Sequence, residues 1–262
     1  MFYRLFNKVN LQNIMKFLGI IPARYASSRF PGKPLIVIEG KTMIQRVYEQ
    51  VSKSSRLAAV VVATDDPRIE QEVLSFGGKV VMTSEHHQSG TDRCAEVIAQ
   101  LPGYDIAINI QGDEPFIAPE QIDLLASCFD NPQTTIATLV KEIKENEELF
   151  NTNIPKVVRN HAGEAIYFSR QTIPFLRGIP QEQWLQKHQF YKHIGIYAYQ
   201  VETLKALTQL PVSTLEEAEA LEQLRWVENG HTIQTAVTVH DTVAVDTPAD
   251  LTKILALFFN KK

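Results

Sequence analysis

Arg24, Arg29 and Lys33 lie within ten residues of one another, interleaved with Ser27 and Ser28 and closed by the turn Pro31-Gly32-Lys33-Pro34. They follow a short apolar run, Phe17 to Ile21, that reads as a buried strand. A strand that feeds a cationic, hydroxyl-rich loop suits a polyanion such as a triphosphate, because arginine offers a planar fork of donors and lysine a mobile point charge. The loop is not a Walker A motif, since Lys33 is followed by Pro34, and it is not Gly-x-Gly-x-x-Gly. Spacing alone leaves an ordinary solvated loop as the alternative.

Two acids stand out far downstream. Tyr104 to Ile110 reads as an apolar strand running into Gln111-Gly112-Asp113-Glu114-Pro115. In open parallel sheets ligands bind beyond the carboxyl ends of strands, so Asp113 is placed to hold Mg²⁺, a hard cation that takes one or two carboxylates plus substrate phosphates. A plain strand-ending turn fits the same residues. Asp246 precedes Thr247-Pro248-Ala249-Asp250, in which Thr247 caps a last helix, Pro248 takes its first position and Asp250 completes the capping box. That leaves Asp246 without a capping task, either as a metal ligand or as a partner for the helix dipole.

The elements that must position these residues alternate in type. A helix is expected over Thr42 to Lys53, a buried strand over Ala58 to Thr64, a helix opened by Asp65-Asp66-Pro67, and a strand over Lys79 to Met82. Ser89 and Asp92 have capping-box spacing ahead of another helix. A helix over Pro119 to Phe129 and a strand over Thr134 to Val140 continue the rhythm, which marks a parallel sheet covered by helices. It then breaks. Val157 to Phe168 reads as two short strands about a turn, and 171–187 is polar and irregular, so 151–191 is expected to be an antiparallel excursion. His193 to Tyr199 is a strand with His193 and Tyr197 on one face. One long helix is expected over Thr214 to Asn229, boxed by Thr214 and Glu217 and stopped by Gly230, with Leu221 and Leu224 facing the core. Ile233 to Val239 is a last strand.

Composition sets the outer limits. The 262 residues suit one large α/β domain, and 44% hydrophobic with 21% charged residues is ordinary for a globular chain. A net charge of -4 disfavours general nucleic-acid binding, while a local cationic loop favours a small anion. No apolar run reaches membrane-span length. Polar residues break up 1–14 too often for a signal-peptide core, so this stretch is expected to be a dispensable extension, with the domain at 15–262. Cys94 and Cys128 lack metal-site spacing and read as reduced thiols, pointing to a reducing, cytoplasmic compartment. His86-His87 without further ligands reads as solvated.

The segments Arg24-Tyr25-Ala26-Ser27-Ser28-Arg29, Pro31-Gly32-Lys33-Pro34-Leu35, Gln111 to Phe116, Leu221-Glu222-Gln223-Leu224-Arg225 and Val245-Asp246-Thr247-Pro248-x-Asp250-Leu251 resemble, in order, the motifs of the sugar-activating cytidylyltransferases of the 3-deoxy-manno-octulosonate (Kdo) type. The resemblance runs from residue 15 to about 258. It implies a single nucleotide-diphospho-sugar-transferase-like (Rossmann-like) α/β domain, with a mostly parallel mixed sheet, helices on both faces and an antiparallel extension. It implies that Ala23, Arg24, Ser27, Arg29, Lys33, Ser89, Gly90, Thr91 and Gln111 bind CTP. Arg170, His193, Tyr197, Glu222 and Gln223 would bind the sugar acid, and Asp113 and Asp246 would hold Mg²⁺. Arg24, Lys33 and the two aspartates would carry catalysis, releasing diphosphate and CMP-Kdo for lipopolysaccharide synthesis, with 151–191 helping to form a homodimer. The rivals are a cytidylyltransferase for another keto-sugar acid, of the 8-amino-Kdo or sialic acid type, and a non-catalytic nucleotide-binding module.

Overall fold

The computed structural model describes residues 15–26, 30–241, 243–245 and 247–258. The extension 1–14 and the site candidates Ser27, Arg29 and Asp246 lie outside the described residues. Eleven strands are described: β1 (Phe17–Ala23), β2 (Val37–Ile38), β3 (Lys41–Thr42), β4 (Leu57–Thr64), β5 (Val80–Met82), β6 (Ile106–Asn109), β7 (Ile136–Glu142), β8 (Lys156–Arg159), β9 (Ala165–Ser169), β10 (Tyr191–Gln200) and β11 (Gln234–Val237). The main sheet has the order β11-β7-β10-β6-β1-β4-β5, with β8 and β9 added beside β10. Along that path only β10 runs against the others, pairing antiparallel with both β6 and β7. β8 and β9 form the expected antiparallel excursion.

Alternation along the central strands sends side chains to two cores, one on each face. Phe17 and Ile21 of β1, Val60 and Val62 of β4, and Ile194, Ile196 and Ala198 of β10 pack on one face. The helices Met43–Val51, Pro67–Ser75 and Pro119–Ser127 cover it. Leu18 and Ile20, Val61 and Ala63, and Tyr197 and Tyr199 pack on the other face. There the helices Gly90–Gln100, Val201–Leu207 and Gln223–Glu228 cover them. Strands buried on both faces read as continuous apolar runs, which is why 58–64 was legible without alternation.

Local signals set the helix starts. Thr42 accepts from the Gln45 amide, Asp66 accepts from the Arg68 amide ahead of Pro67, and Ser89 and Asp92 close a reciprocal box. Thr247 and Asp250 exchange hydrogen bonds at the start of Pro248–Phe258. One expectation fails: the long helix over 214–229 is two short ones, Thr214–Glu219 and Gln223–Glu228. Ala220 between them takes φ 48°, in the left-handed region, and the first helix is boxed by Ser213 and Glu216, one residue before the predicted pair. The break turns Leu221 and Leu224 into the core and brings Gln223 in with them, 5% exposed. Cys94 and Cys128 are unpaired, the first buried and the second half-buried.

Candidate active site

The carboxyl ends of β1 and β6 lie side by side in parallel, and the loops leaving them carry much of the predicted chemistry. Lys33 sits in a single helical turn, Lys33–Leu35, entered through Gly32 at φ 72°. The Gly32 amide donates to the Tyr25 carbonyl at 2.9 Å and closes the loop behind Arg24. A side chain at position 32 would be strained by that φ and would also meet the Tyr25 ring at 3.2 Å. Arg68 stacks over Tyr25 at 3.3 Å from the ring centroid.

Lys33 Nζ reaches Asp113 Oδ2 at 2.7 Å, across 80 residues of chain. Both side chains are partly exposed, 14% and 23%, so the pair is open to solvent at the strand ends. Gly112 lets this happen: a Cβ there would lie 2.6 Å from the Pro22 carbonyl, so the 111–113 backbone can lie against β1 only as glycine. The Val245 amide donates to the Asp113 carbonyl at 2.9 Å, which pins the residue next in sequence to Asp246 against the same aspartate. Among the described residues no three His, Cys, Asp or Glu side chains cluster as a metal site.

Glu114, beside Asp113, is 7% exposed. Burial, with the Asp113 charge adding, pushes its carboxyl up to about 8. This carboxyl is a site feature that the sequence reading passed over in favour of Asp113. Its signal was the pair of adjacent acids just past a buried strand that is apolar but for Asn109.

Arg24 donates through Nη2 to the His87 carbonyl, tying the cationic loop to the segment before Gly90–Gln100. His87 in turn meets Glu96. Arg93 is fully buried one turn into that helix, bonded to Thr83 and 3.5 Å from Asp65, and burial lowers its pKa. Ser89 spends its hydroxyl on the helix start, accepting from the Asp92 amide at 3.1 Å. Thr91 is 2% exposed and donates to Glu222 Oε2 at 2.8 Å. The predicted nucleotide segment 89–91 and the predicted sugar segment 222–223 are therefore one hydrogen-bonded unit. Burial raises the Glu222 carboxyl above the ordinary range, against the pull of Thr91 and Ser89.

The remaining sugar candidates lie on the same sheet face. His193 and Tyr197 do share a face of β10, with ring centroids 5.2 Å apart. Phe168 packs on His193, and Trp226 packs on Tyr197. Burial, with the Glu222 charge adding, holds the Tyr197 phenol neutral far above the usual range. Desolvation depresses His193 to about 4, so it is a neutral imidazole at pH 7. Arg170 comes to the same neighbourhood, with its donors already engaged. Its Nε donates to the Glu219 carbonyl at 2.6 Å and its Nη2 to the Ala220 carbonyl at 3.1 Å, closing the last turn of Thr214–Glu219. Gln111 donates through Nε2 to the Gly195 carbonyl at 2.8 Å, joining the β6 end to β10. A separate hollow of about 450 Å³, lined by Met15, Tyr104, Asp105 and Val201, opens at the opposite ends of β1 and β6 and holds none of these residues.

A sheet whose strand ends set Lys33 against Asp113, beside Arg24 and a buried layer of polar side chains, suits a nucleotidyl-transfer type of site. Comparison with known proteins narrows the class. The cytidylyltransferase family profile matches residues 18–233. The 3-deoxy-manno-octulosonate cytidylyltransferase of Parabacteroides distasonis is 57% identical over 253 residues, taking in 95% of this chain and all of that one. Its counterpart in Cytophaga hutchinsonii is 58% identical over 242 residues, 92% of this chain and 96% of the other. A CMP:2-keto-3-deoxy-manno-octonic acid synthetase complexed with CTP superposes with a TM-score of 0.88 at 46% identity, covering 94% of this chain and 100% of that chain. A cytidylyltransferase from Leptospira borgpetersenii, 17% identical with a TM-score of 0.60 over 94% of this chain and 88% of its own, is a likeness of fold alone. The chain belongs to the cytidylyltransferase family, among those named for 3-deoxy-manno-octulosonate.

Proposed function

We infer that the protein transfers CMP from CTP to the anomeric hydroxyl of 3-deoxy-manno-octulosonate, releasing diphosphate. The observation that carries this reading is the 2.7 Å Lys33–Asp113 pair at the mouth of the parallel strands, in a chain of this family. Phosphoryl-type transfer depends mainly on positioning and on stabilising charge. Lys33 and Arg24 are the cations that would offset charge building on the α-phosphate and the departing diphosphate. Asp113 holds Lys33 at the cleft until the polyanion arrives. The Thr91–Glu222 bond keeps the nucleotide and sugar segments in register, so that the attacking oxygen meets the phosphorus in line.

The donor set suits Mg²⁺. Asp113 is a partly exposed carboxylate of the kind a hard divalent cation takes, while the buried Glu114 beside it is mostly protonated at pH 7 and leaves Asp113 as the charged ligand of the pair. We propose that Asp113 holds Mg²⁺ together with Asp246. When bound, the ion would lower the pKa of the anomeric hydroxyl and offset phosphate charge, so no side chain need act as base. His193, Tyr197, Glu222 and Gln223 would orient the sugar acid. We also propose that the excursion carrying Ile166 and Phe175, 55% and 72% exposed, meets a second copy of the chain.

Diphosphate release is the test, measured with a panel of nucleoside triphosphates against Kdo, its 8-amino variant and sialic acid, with and without Mg²⁺. Turnover with CTP and Kdo is expected. CTP binding without turnover would favour a binding module, and preferred turnover of another acid would move the assignment to that sugar.

A further inference from the structure

β10 carries a bulge. His193 and Ile194 pair with Val140 and Leu139, yet the next partner of β7, Thr138, pairs with Tyr197, so Gly195 and Ile196 have no partner on β7. Side chains satisfy the backbone carbonyls turned out there. Gln111 donates to that of Gly195, and the Thr138 hydroxyl lies 3.2 Å from that of Ile194 and 2.8 Å from that of Ile196. The same Thr138 oxygen is 3.0 Å from His193 Nε2.

A threonine hydroxyl has one proton and two lone pairs, and a carbonyl oxygen can only accept. With two carbonyls in reach, the Thr138 proton goes to them, since otherwise oxygen lone pairs would face each other at 2.8 Å. The hydroxyl can then only accept from the ring, so Nε2 must carry the hydrogen. The imidazole is neutral, which leaves Nδ1 with a lone pair. Nδ1 makes no hydrogen bond among the described residues, and His193 is only half-buried. Thr138 is wholly buried in the middle of β7, and its hydroxyl serves the two bulge carbonyls and faces the Tyr197 phenol as well as His193.

We propose that Thr138 is a positioning residue that holds His193 as the Nε2–H tautomer, so that Nδ1 accepts a hydrogen bond from a hydroxyl of the sugar acid. The role of His193 toward sugar rests on the function proposed above, whereas the tautomer does not. This reverses the simpler idea that His193 donates to the sugar. A hydroxyl can serve as donor at this point, while a carbonyl or ether oxygen placed there meets a lone pair.

The experiment uses the full chain with ¹⁵N-labelled histidine. The His193 ring is assigned among the seven histidines by its loss in His193→Asn. In the substrate-free wild type at pH 7 the ring should carry its proton on Nε2 alone. In Thr138→Val it should redistribute between tautomers, and Thr138→Ser should restore the wild-type pattern. With substrates, Thr138→Val should raise KM for the sugar acid about tenfold, the scale of one lost hydrogen bond. KM for CTP should stay unchanged, and Thr138→Ser should recover the sugar KM. A wild-type ring protonated on Nδ1, or charged at pH 7, overturns the assignment without any variant. So does an unchanged ring in a folded Thr138→Val, or an equal rise in both KM values. Failure of the wild type to turn over CTP and Kdo would instead sink the functional reading, because the tautomer is read on the free protein.

Discussion

The two halves of the site are built on opposite principles. The half proposed for the nucleotide is made of loops at the ends of β1 and β6, where Lys33 and Asp113 pair with both side chains partly exposed. The half proposed for the sugar lies on one face of the sheet, inside a packed layer in which Thr138, His193, Tyr197, Glu222 and Trp226 satisfy or pack against one another. Charges that wait in a cleft cost the fold little and act when substrate arrives. Polar groups sealed into a layer are part of the fold, since an unpaired group there carries its full desolvation cost. Substitutions on the nucleotide side should therefore cost activity at nearly constant stability, and those on the sugar side should cost both.

The largest effect tests the first half of that contrast. Lys33→Ala and Asp113→Asn should each lower kcat/KM by about 10² to 10³, the scale of removing one charge-stabilising contact. The melting temperature should move by no more than about 3 °C, because a pair at the strand ends that is only partly buried stays open to solvent screening and contributes little. Diphosphate release and thermal melts on the same samples check both numbers. A melting loss as great as that of the next variant would erase the contrast.

Arg170→Ala tests the second half. It strips the donors from the Glu219 and Ala220 carbonyls at the break between the two short helices. The expected cost is about 3 kcal/mol, or roughly 6–12 °C in a domain of this size, together with a raised KM for the sugar acid. Arg170→Lys should recover only part of it, since a single ammonium cannot span two carbonyls as the guanidinium fork does. If Arg170→Ala melts like wild type but loses the sugar, the arginine serves the ligand and not the break.

The contrast also explains what the sequence made legible. Loop motifs are contiguous, so Arg24, Lys33 and Asp113 could be found from residue types and strand ends, and their meeting needed only the parallel topology. Capping residues such as Thr42, Ser89 and Thr247 announced their helices because an N-cap is a local bond. The sugar half is non-local. Thr214 to Asn229 has unbroken helical spacing, and nothing in that spacing marks Ala220 as left-handed; the carbonyls at the break are met by Arg170, 50 residues away. Thr138 was passed over because a threonine in an apolar strand is ordinary, and its task appears only once the β10 bulge is placed beside it. Arg93 gave a fairer warning, as a cation inside a helix whose neighbours Cys94 and Val97 are core residues.

A smaller effect appears in the pH dependence of stability. His193 has a folded pKa of about 4, below its unfolded value of 6.5, so its contribution is complete above about 6.5 and fades as the pH falls toward 4. Glu222 is shifted the other way. Its folded pKa is raised above the unfolded 4.5, so its contribution is complete below 4.5 and is lost as the pH rises through the folded value. His193→Asn should flatten the acid limb of the melting curve against pH, and Glu222→Gln the upper limb. Lys33→Ala should leave the shape of both limbs intact.

The smallest expected change concerns Ala220. At φ 48° it holds a conformation that costs a non-glycine residue about 1 kcal/mol, and glycine adopts it freely. Ala220→Gly should raise the melting temperature by about 1–3 °C, part of the relief being returned as added chain entropy in the unfolded state. The strained alanine also narrows the paths the chain can take into Leu221 and Glu222, and glycine loosens that turn. If the break exists to aim Glu222 at Thr91, the more stable variant should bind the sugar acid a few-fold more weakly, with KM for CTP unchanged. Should Ala220→Gly gain stability and lose nothing in KM, the aim of Glu222 is set by its bond to Thr91 alone, and the rigidity of the sugar half resides in the layer and not in the turn.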